Sequence, residues 1–396
     1  MRAVSFSALA ALTSSVAFVA LVACGGPDKP PTDATGAHRT RDAGTTTPQI
    51  LGTHVEGTPQ ELLQRGERAL ITGQLAEAKE CFVTLLAADP KGPYVKDARY
   101  DLALVESALG DHAGARTRLR GVIADYASDP LARSALTRVV ELDAFLEDWK
   151  DLGESAELML AKKDLTDVEK MLALGARGLS RVKAGDDTKA SIDVQNGLDL
   201  VESLHYGAAG RLPHAAAQLK FALGEVRITK AEKVSLVPVA PDFPIKIEMR
   251  AQGLLDAQNA FADAIRGEAV EWAKMSGVRI GEMYAKLHRD LMDIPPTAQA
   301  KTDKDKQLFY AIMHVRYRAL LDKGIEMMRR TLALADRTSD KDSVWVKRAE
   351  DAKKEMEDAL VVEKAEIAKS GLNEAEVERA IEIMKQHVQQ NAAKKK

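Results

Sequence analysis

A spacing of 37 residues constrains this chain more than any other feature. Gly110 follows Gly73 by 37 residues, Ala115 follows Ala78 by 37, and Leu119 follows Phe82 by 37. Gly185 stands 75 residues after Gly110, two periods on. Between them, LEDWKDLGESAELML carries a third copy of the pattern, and GARGLSRVKAGDDTKASIDV carries a fourth. Self-similarity at such a period marks stacked supersecondary units, none of which buries its apolar face alone.

The first copy shows what the unit is. Thr58 is placed to cap a helix, with Pro59 in the first turn and Glu61 three residues after the cap. A second apolar run at helical spacing follows Gly73, and Asp89-Pro90 ends it, because proline cannot continue a helix. Composition agrees: 45% of residues are hydrophobic but only 5% are aromatic. Alanine and leucine favour close-packed helices, whereas strands draw on β-branched and aromatic side chains. The expected fold class is all-α, an α-solenoid of antiparallel helix pairs with an irregular C-terminal helical region.

Gly66, Gly73, Ala78 and Phe82 are spaced as in the tetratricopeptide repeat, which residues 59–200 resemble. Ala69 departs from that pattern, since it stands where the family prefers an aromatic residue. The resemblance implies a superhelix whose inner surface binds peptides or protein partners.

Beyond residue 205 the pattern loosens. RLPHAAAQLKFALGEVRITKAEK reads as one helix, and LLDAQNAFADAIRG places Ala257, Phe261 and Ala264 much as the first unit places Ala78, Phe82 and Leu85. These are expected to be the halves of a fifth unit. Between them, VSLVPVAPDFPIKI carries Pro238, Pro241 and Pro244 and is expected to run extended. Its Leu236, Val237, Val239 and Phe243 either plug a gap between helices or offer an edge to a partner. Tyr284 and His288 are four residues apart and share a helix face with Gly277 and Gly281. With Arg279 they are the candidate partner-binding residues of the inner surface; packing against a neighbouring helix is the alternative use of the same face. A stripe at Trp345, Ala349, Ala352, Met356 and Leu360 marks another helix. The last helix is capped by Asn373 and Glu376, with its own stripe at Val377, Ala380, Met384 and Val388.

The N-terminus points to a location. Arg2 precedes an uncharged run from Ala3 to Ala23, followed by Cys24 and a break at Gly25-Gly26-Pro27. This is the pattern of a secretory signal. Leu21-Val22-Ala23-Cys24 resembles the lipobox of bacterial lipoproteins, which implies acylation at Cys24. Gly25 in place of aspartate implies, by the same resemblance, sorting to the outer membrane, facing the periplasm. Residues 25–58 are rich in Gly, Pro, Thr and Asp and are expected to be a flexible tether. The expected organisation is a signal peptide over 1–23, lipidated cysteine and tether over 24–58, and a repeat array over 59–228. A Pro-rich insertion over 229–247 and C-terminal helices over 248–393 complete it. The whole resembles the lipoprotein subunit of the outer-membrane β-barrel assembly machine and the periplasmic coordinator of the Tol system.

Fifty-six basic and 59 acidic residues leave a net charge of −3, so nucleic acid is not an expected partner. No glycine-rich phosphate loop and no Gly-x-Ser-x-Gly elbow occurs, and no two of the eight histidines are three or four apart. Neither a cofactor nor a metal is expected, and the chain is read as a non-catalytic scaffold. Its expected partners are envelope proteins, the membrane through the lipid, and peptidoglycan. The alternative reading is a peptidoglycan-binding or peptidoglycan-hydrolysing envelope protein. Cys81, among apolar neighbours, is expected to be a buried small hydrophobe.

Overall fold

A computed structural model describes residues 56–206, 213–267, 269–296, 300–338 and 343–393. Among them lie fourteen helices and no strand. Cys24 and the rest of residues 1–55 lie outside the described residues. The chain divides into two compact units, one ending at Val105 and one beginning at Glu106.

The first unit contains α1 (Pro59–Ile71), α2 (Leu75–Ala88) and most of α3 (Val95–Ala108). Thr58 and Glu61 form the expected capping box, each side chain accepting from the other's backbone N–H. Phe82 lies against Gly66 so closely that a Cβ there would meet its ring at 2.6 Å. This is the steric reason for a small residue in α1. Cys81 is fully buried in the same cluster, with Leu62, Ala69 and Leu85.

The second unit continues with α4 (His112–Asp125), α5 (Pro130–Phe145), α6 (Trp149–Leu160), α7 (Asp167–Lys183) and α8 (Asp187–Ser203). One turn recurs through both units. Gly73, Gly110 and Gly185 take left-handed φ of 75°, 87° and 85°, and the third copy has Glu147 there with φ 57°. In all four turns the next residue donates its N–H to the carbonyl five residues back. The pairs are Gln74 to Ala69, Asp111 to Glu106, Asp148 to Asp143 and Asp186 to Arg181, at 2.8–2.9 Å. This is the Schellman termination, for which glycine is the unstrained residue. Glu147 holds the same conformation at a cost of about 1–2 kcal/mol.

Two further positions repeat with the turn. Twelve residues separate the buried or half-buried polar pairs Glu106–Arg118 (2.7 Å), Asp143–Ser155 (2.8 Å) and Arg181–Asp193 (2.6 Å). Each pair joins the position four before the turn to the one eight after it. The first unit fills these two positions with Ala69 and Cys81, which explains the buried thiol as a packing residue. The internal geometry is that of tandem tetratricopeptide-like helix pairs in an all-α fold.

The remaining helices are α9 (His214–Glu232), α10 (Phe243–Arg266), α11 (Val270–Met292), α12 (Asp303–Arg337), α13 (Val344–Lys369) and α14 (Glu374–Ala393). The fifth pair forms as expected from its spacing, with Ala257, Phe261 and Ala264 fully buried. The Phe261 ring lies 2.6 Å from where a Cβ on Gly224 would stand, as Phe82 does at Gly66. The Pro-rich insertion is shorter than expected: α9 runs to Glu232, and Pro244 sits in the first turn of α10, where its missing N–H is no loss. Leu236 and Phe243 plug the core beside Leu291, Ile294, Phe309 and Tyr317, while Val237 and Val239 stay exposed. In α14, Val377 and Ile381 carry the contact to Ala311, Ile312 and Ile367; the side chains of Met384 and Val388 lie outside the described residues. None of the described helices is long and apolar enough to cross a membrane.

Candidate functional site

Helices α9, α11 and α13 border a cleft of ≈ 540 Å³. Ile228 and Glu232 face it from α9; Arg279, Glu282, Lys286 and Arg289 from α11; Val344, Lys347, Arg348, Asp351 and Glu355 from α13. The α11 residues fall at intervals of three and four, so they form one face of that helix.

An alternating chain of charges runs along one side of this cleft. Glu225, on α9 and only 2% exposed, accepts from Lys183 of α7 at 2.6 Å and from Arg279 at 3.1 Å. Arg279 Nη1 donates to Glu282 at 2.6 Å, Arg348 Nη2 donates to Glu282 at 2.8 Å, and Arg348 Nη1 donates to Glu147 at 2.8 Å. Glu147 is the strained residue of the third turn, so the chain joins α7, α9, α11 and α13 to that turn. Burial pushes the Glu225 carboxyl up, but Arg279 and Lys183 more than offset this and hold it at about 2. Burial would lower the Arg279 pKa, but Glu225 and Glu282 raise it on balance. Glu232 differs: burial raises its pKa in spite of Lys286, Arg279 and Arg250 nearby.

The start of α13 is fastened beside this chain. Trp345 is 1% exposed and donates its indole N–H to the Phe145 carbonyl at 2.9 Å, across 200 residues of sequence. The Arg348 guanidinium lies over the Trp345 ring, 4.8 Å from its centroid.

Of the three residues the sequence singled out for partner binding, only Arg279 borders the cleft, and both its carboxylate neighbours already engage it. Tyr284 and His288 do not line an open surface, which corrects the expectation for them. Tyr284 is 4% exposed and donates its hydroxyl to Gln258 at 2.5 Å, and burial pushes the phenol up to about 12. His288 is 5% exposed, with its Nε2 2.7 Å from Glu363 of α13. The reason is the small residues beside them. A Cβ on Gly277 would meet Thr331 Oγ1 at 2.1 Å, and one on Gly281 would meet Met328 Cε at 2.5 Å. That face of α11 is the one α12 covers, which leaves the charged face for the cleft.

Sequence reasoning missed Glu282, Lys286, Lys347 and Arg348. The signal in α11 was present as charges at 279, 282, 286 and 289, whereas nothing in the local sequence links Lys347 or Arg348 to them. It also missed the convergence of His288 and His314 on Glu363, because the three stand on three different helices.

No family model and no curated protein matches the chain. Among solved structures it is similar to a tetratricopeptide repeat protein from Parabacteroides merdae, at 10% identity and a TM-score of 0.40, covering 74% of this chain and 98% of that one. It is also similar to the TPR domain of P58(IPK), at 14% identity and a TM-score of 0.14, covering 76% of this chain and 99% of that one.

Proposed function

We propose that this protein is a lipid-anchored, non-catalytic scaffold of the bacterial envelope, which holds a protein partner in the cleft between α9, α11 and α13. The observation that carries the reading is the cleft itself, a charge-lined recess built from tandem helix pairs. Lys286 and Lys347 against Glu232 and Asp351 offer both signs of charge to a partner segment, which suits selection by electrostatic complementarity. The anchor rests on the lipobox resemblance at Cys24. A lipidated chain near the outer membrane, facing the periplasm, would be concentrated beside anchored envelope partners.

Both halves of the reading have a direct test. Cys24→Ser is expected to move the protein from the membrane to the soluble fraction with its helical circular dichroism unchanged; an unmoved protein refutes the anchor. A photo-crosslinker at Lys347 is expected to capture one envelope protein in stoichiometric yield, reduced at least tenfold by Lys286→Glu. Equal capture from a crosslinker at exposed Lys150 would refute the cleft as the binding surface.

A second reading, peptidoglycan hydrolysis, draws on Glu232, a cleft carboxyl whose pKa burial raises, as a general acid requires. Soluble fragments released from purified peptidoglycan, and abolished by Glu232→Gln, would establish it over the scaffold.

A further inference from the structure

We propose that His288, His314 and Glu363 form a buried binding site for a divalent metal ion of the zinc class. The three come from α11, α12 and α13, and their ligand atoms all lie within 4.8 Å of one another. Glu363 Oε1 is 2.7 Å from His288 Nε2 and 3.2 Å from His314 Nδ1. The side chains are 1%, 6% and 11% exposed for Glu363, His288 and His314 respectively.

A second observation is independent of that convergence. Glu363 Oε2 is buried with no hydrogen bond, and so are Nε and Nη2 of Arg318, although Nε stands 3.6 Å from that oxygen. Buried polar atoms are almost always satisfied, and the open lone pairs of Glu363 Oε2 call for a cation or a water beside it. A cation between the imidazoles and the carboxylate can be held after a small adjustment of the ligands. Metal–ligand bonds of about 2.0–2.2 Å at a tetrahedral angle separate ligand atoms by about 3.3–3.6 Å. The His314–Glu363 distance is close to this range, and His288 needs to withdraw by about 0.6–0.9 Å.

Donor chemistry selects the metal. Two imidazole nitrogens and one carboxylate suit zinc, whereas magnesium and calcium prefer all-oxygen shells. Arg318 then stands behind the ligating carboxylate as its outer partner, the place where such groups orient ligands. The ion would tie α13 to α11 and α12 by its C-terminal half, while Trp345 and Arg348 tie it by its start. The cleft wall between these two points would thus be fastened at both ends.

The test uses the full chain, stripped with a chelator and then titrated with zinc chloride. One equivalent is expected to bind below about 1 μM and to raise the melting temperature by several degrees. His288→Gln and His314→Gln are each expected to weaken binding at least 100-fold, with His205→Gln, outside the cluster, leaving it unchanged. Binding weaker than about 100 μM, or equal binding in all three variants, overturns the proposal. If the cluster variants fail to fold, cobalt(II) added to the stripped native chain decides: a visible ligand-field band saturating at one equivalent supports the site, and its absence overturns it.

Discussion

Helices α3 to α8 and helices α9 to α13 both bury polar groups, but for different ends. In the earlier helices every repeated pair spans twelve residues, from one arm of a hairpin to the other. In the later ones the separations grow to 54 for Arg279–Glu225, 75 for His288–Glu363 and 201 for Arg348–Glu147. A pair inside a hairpin adds to a contact the chain makes anyway, because the turn has already brought the arms together. A long-range pair determines which distant helix docks where, and its loss leaves a buried charge without its counterion. The repeats are thus locally specified, and the C-terminal helices are specified by what they reach.

Removing a long-range anchor should break this contrast most visibly. Trp345→Ala is expected to cost about 3–5 kcal/mol in urea unfolding, through the lost ring volume and the orphaned Phe145 carbonyl. A loss below about 1 kcal/mol would mean that α13 and the third hairpin are energetically separate, and the comparison would fail.

Glu225→Gln sharpens the same point electrostatically, with an expected cost of about 3 kcal/mol at pH 7. The folded carboxyl titrates at about 2, below its unfolded value of about 4.3. Its contribution is therefore fully present above about pH 4.3 and is lost as pH falls towards 2. Stability measured against pH should show a constant gap between native protein and variant from pH 7 to 5, closing between pH 4 and 2. A gap that stays open in acid would remove the buried ion pairs from the explanation.

The smallest effect is expected where the two regions touch. Glu147→Gly relieves a left-handed strain of about 1–2 kcal/mol, offset by the greater backbone freedom of glycine, and gives up a partly exposed ion pair to Arg348 worth at most about 1 kcal/mol. The net change in melting temperature should stay within about two degrees. A large loss would show that the turn residue itself, rather than Trp345, holds α13.

Much of the array was legible because helix hairpins repeat their sterics. In the first, second and fourth copies a glycine in the turn, an alanine five residues on (Ala78, Ala115, Ala190) and a larger apolar residue nine on (Phe82, Leu119, Val194) are local demands, and each leaves a mark at a fixed spacing. Even the fifth pair was readable through its insertion from Ala257, Phe261 and Ala264. The third turn was harder, since Glu147 replaces the glycine that marks the others. For Tyr284 and His288 the packing use of their face stood and the partner-binding use did not, because a four-residue spacing defines a face without saying whether water or a helix covers it. Gly277 and Gly281, on the same face, were the better guide.

By itself, then, the sequence determined the helical class, the period, the turn positions and the small-residue contacts, since all of these act within one hairpin. Only the tertiary structure decided that Arg279 and Arg348 share a glutamate, that Trp345 returns to Phe145, and that His288, His314 and Glu363 converge. The bonds that reach between helices here join residues 49 to 200 positions apart. No local periodicity records them, because they depend on how successive helix pairs accumulate rotation and bring far elements together.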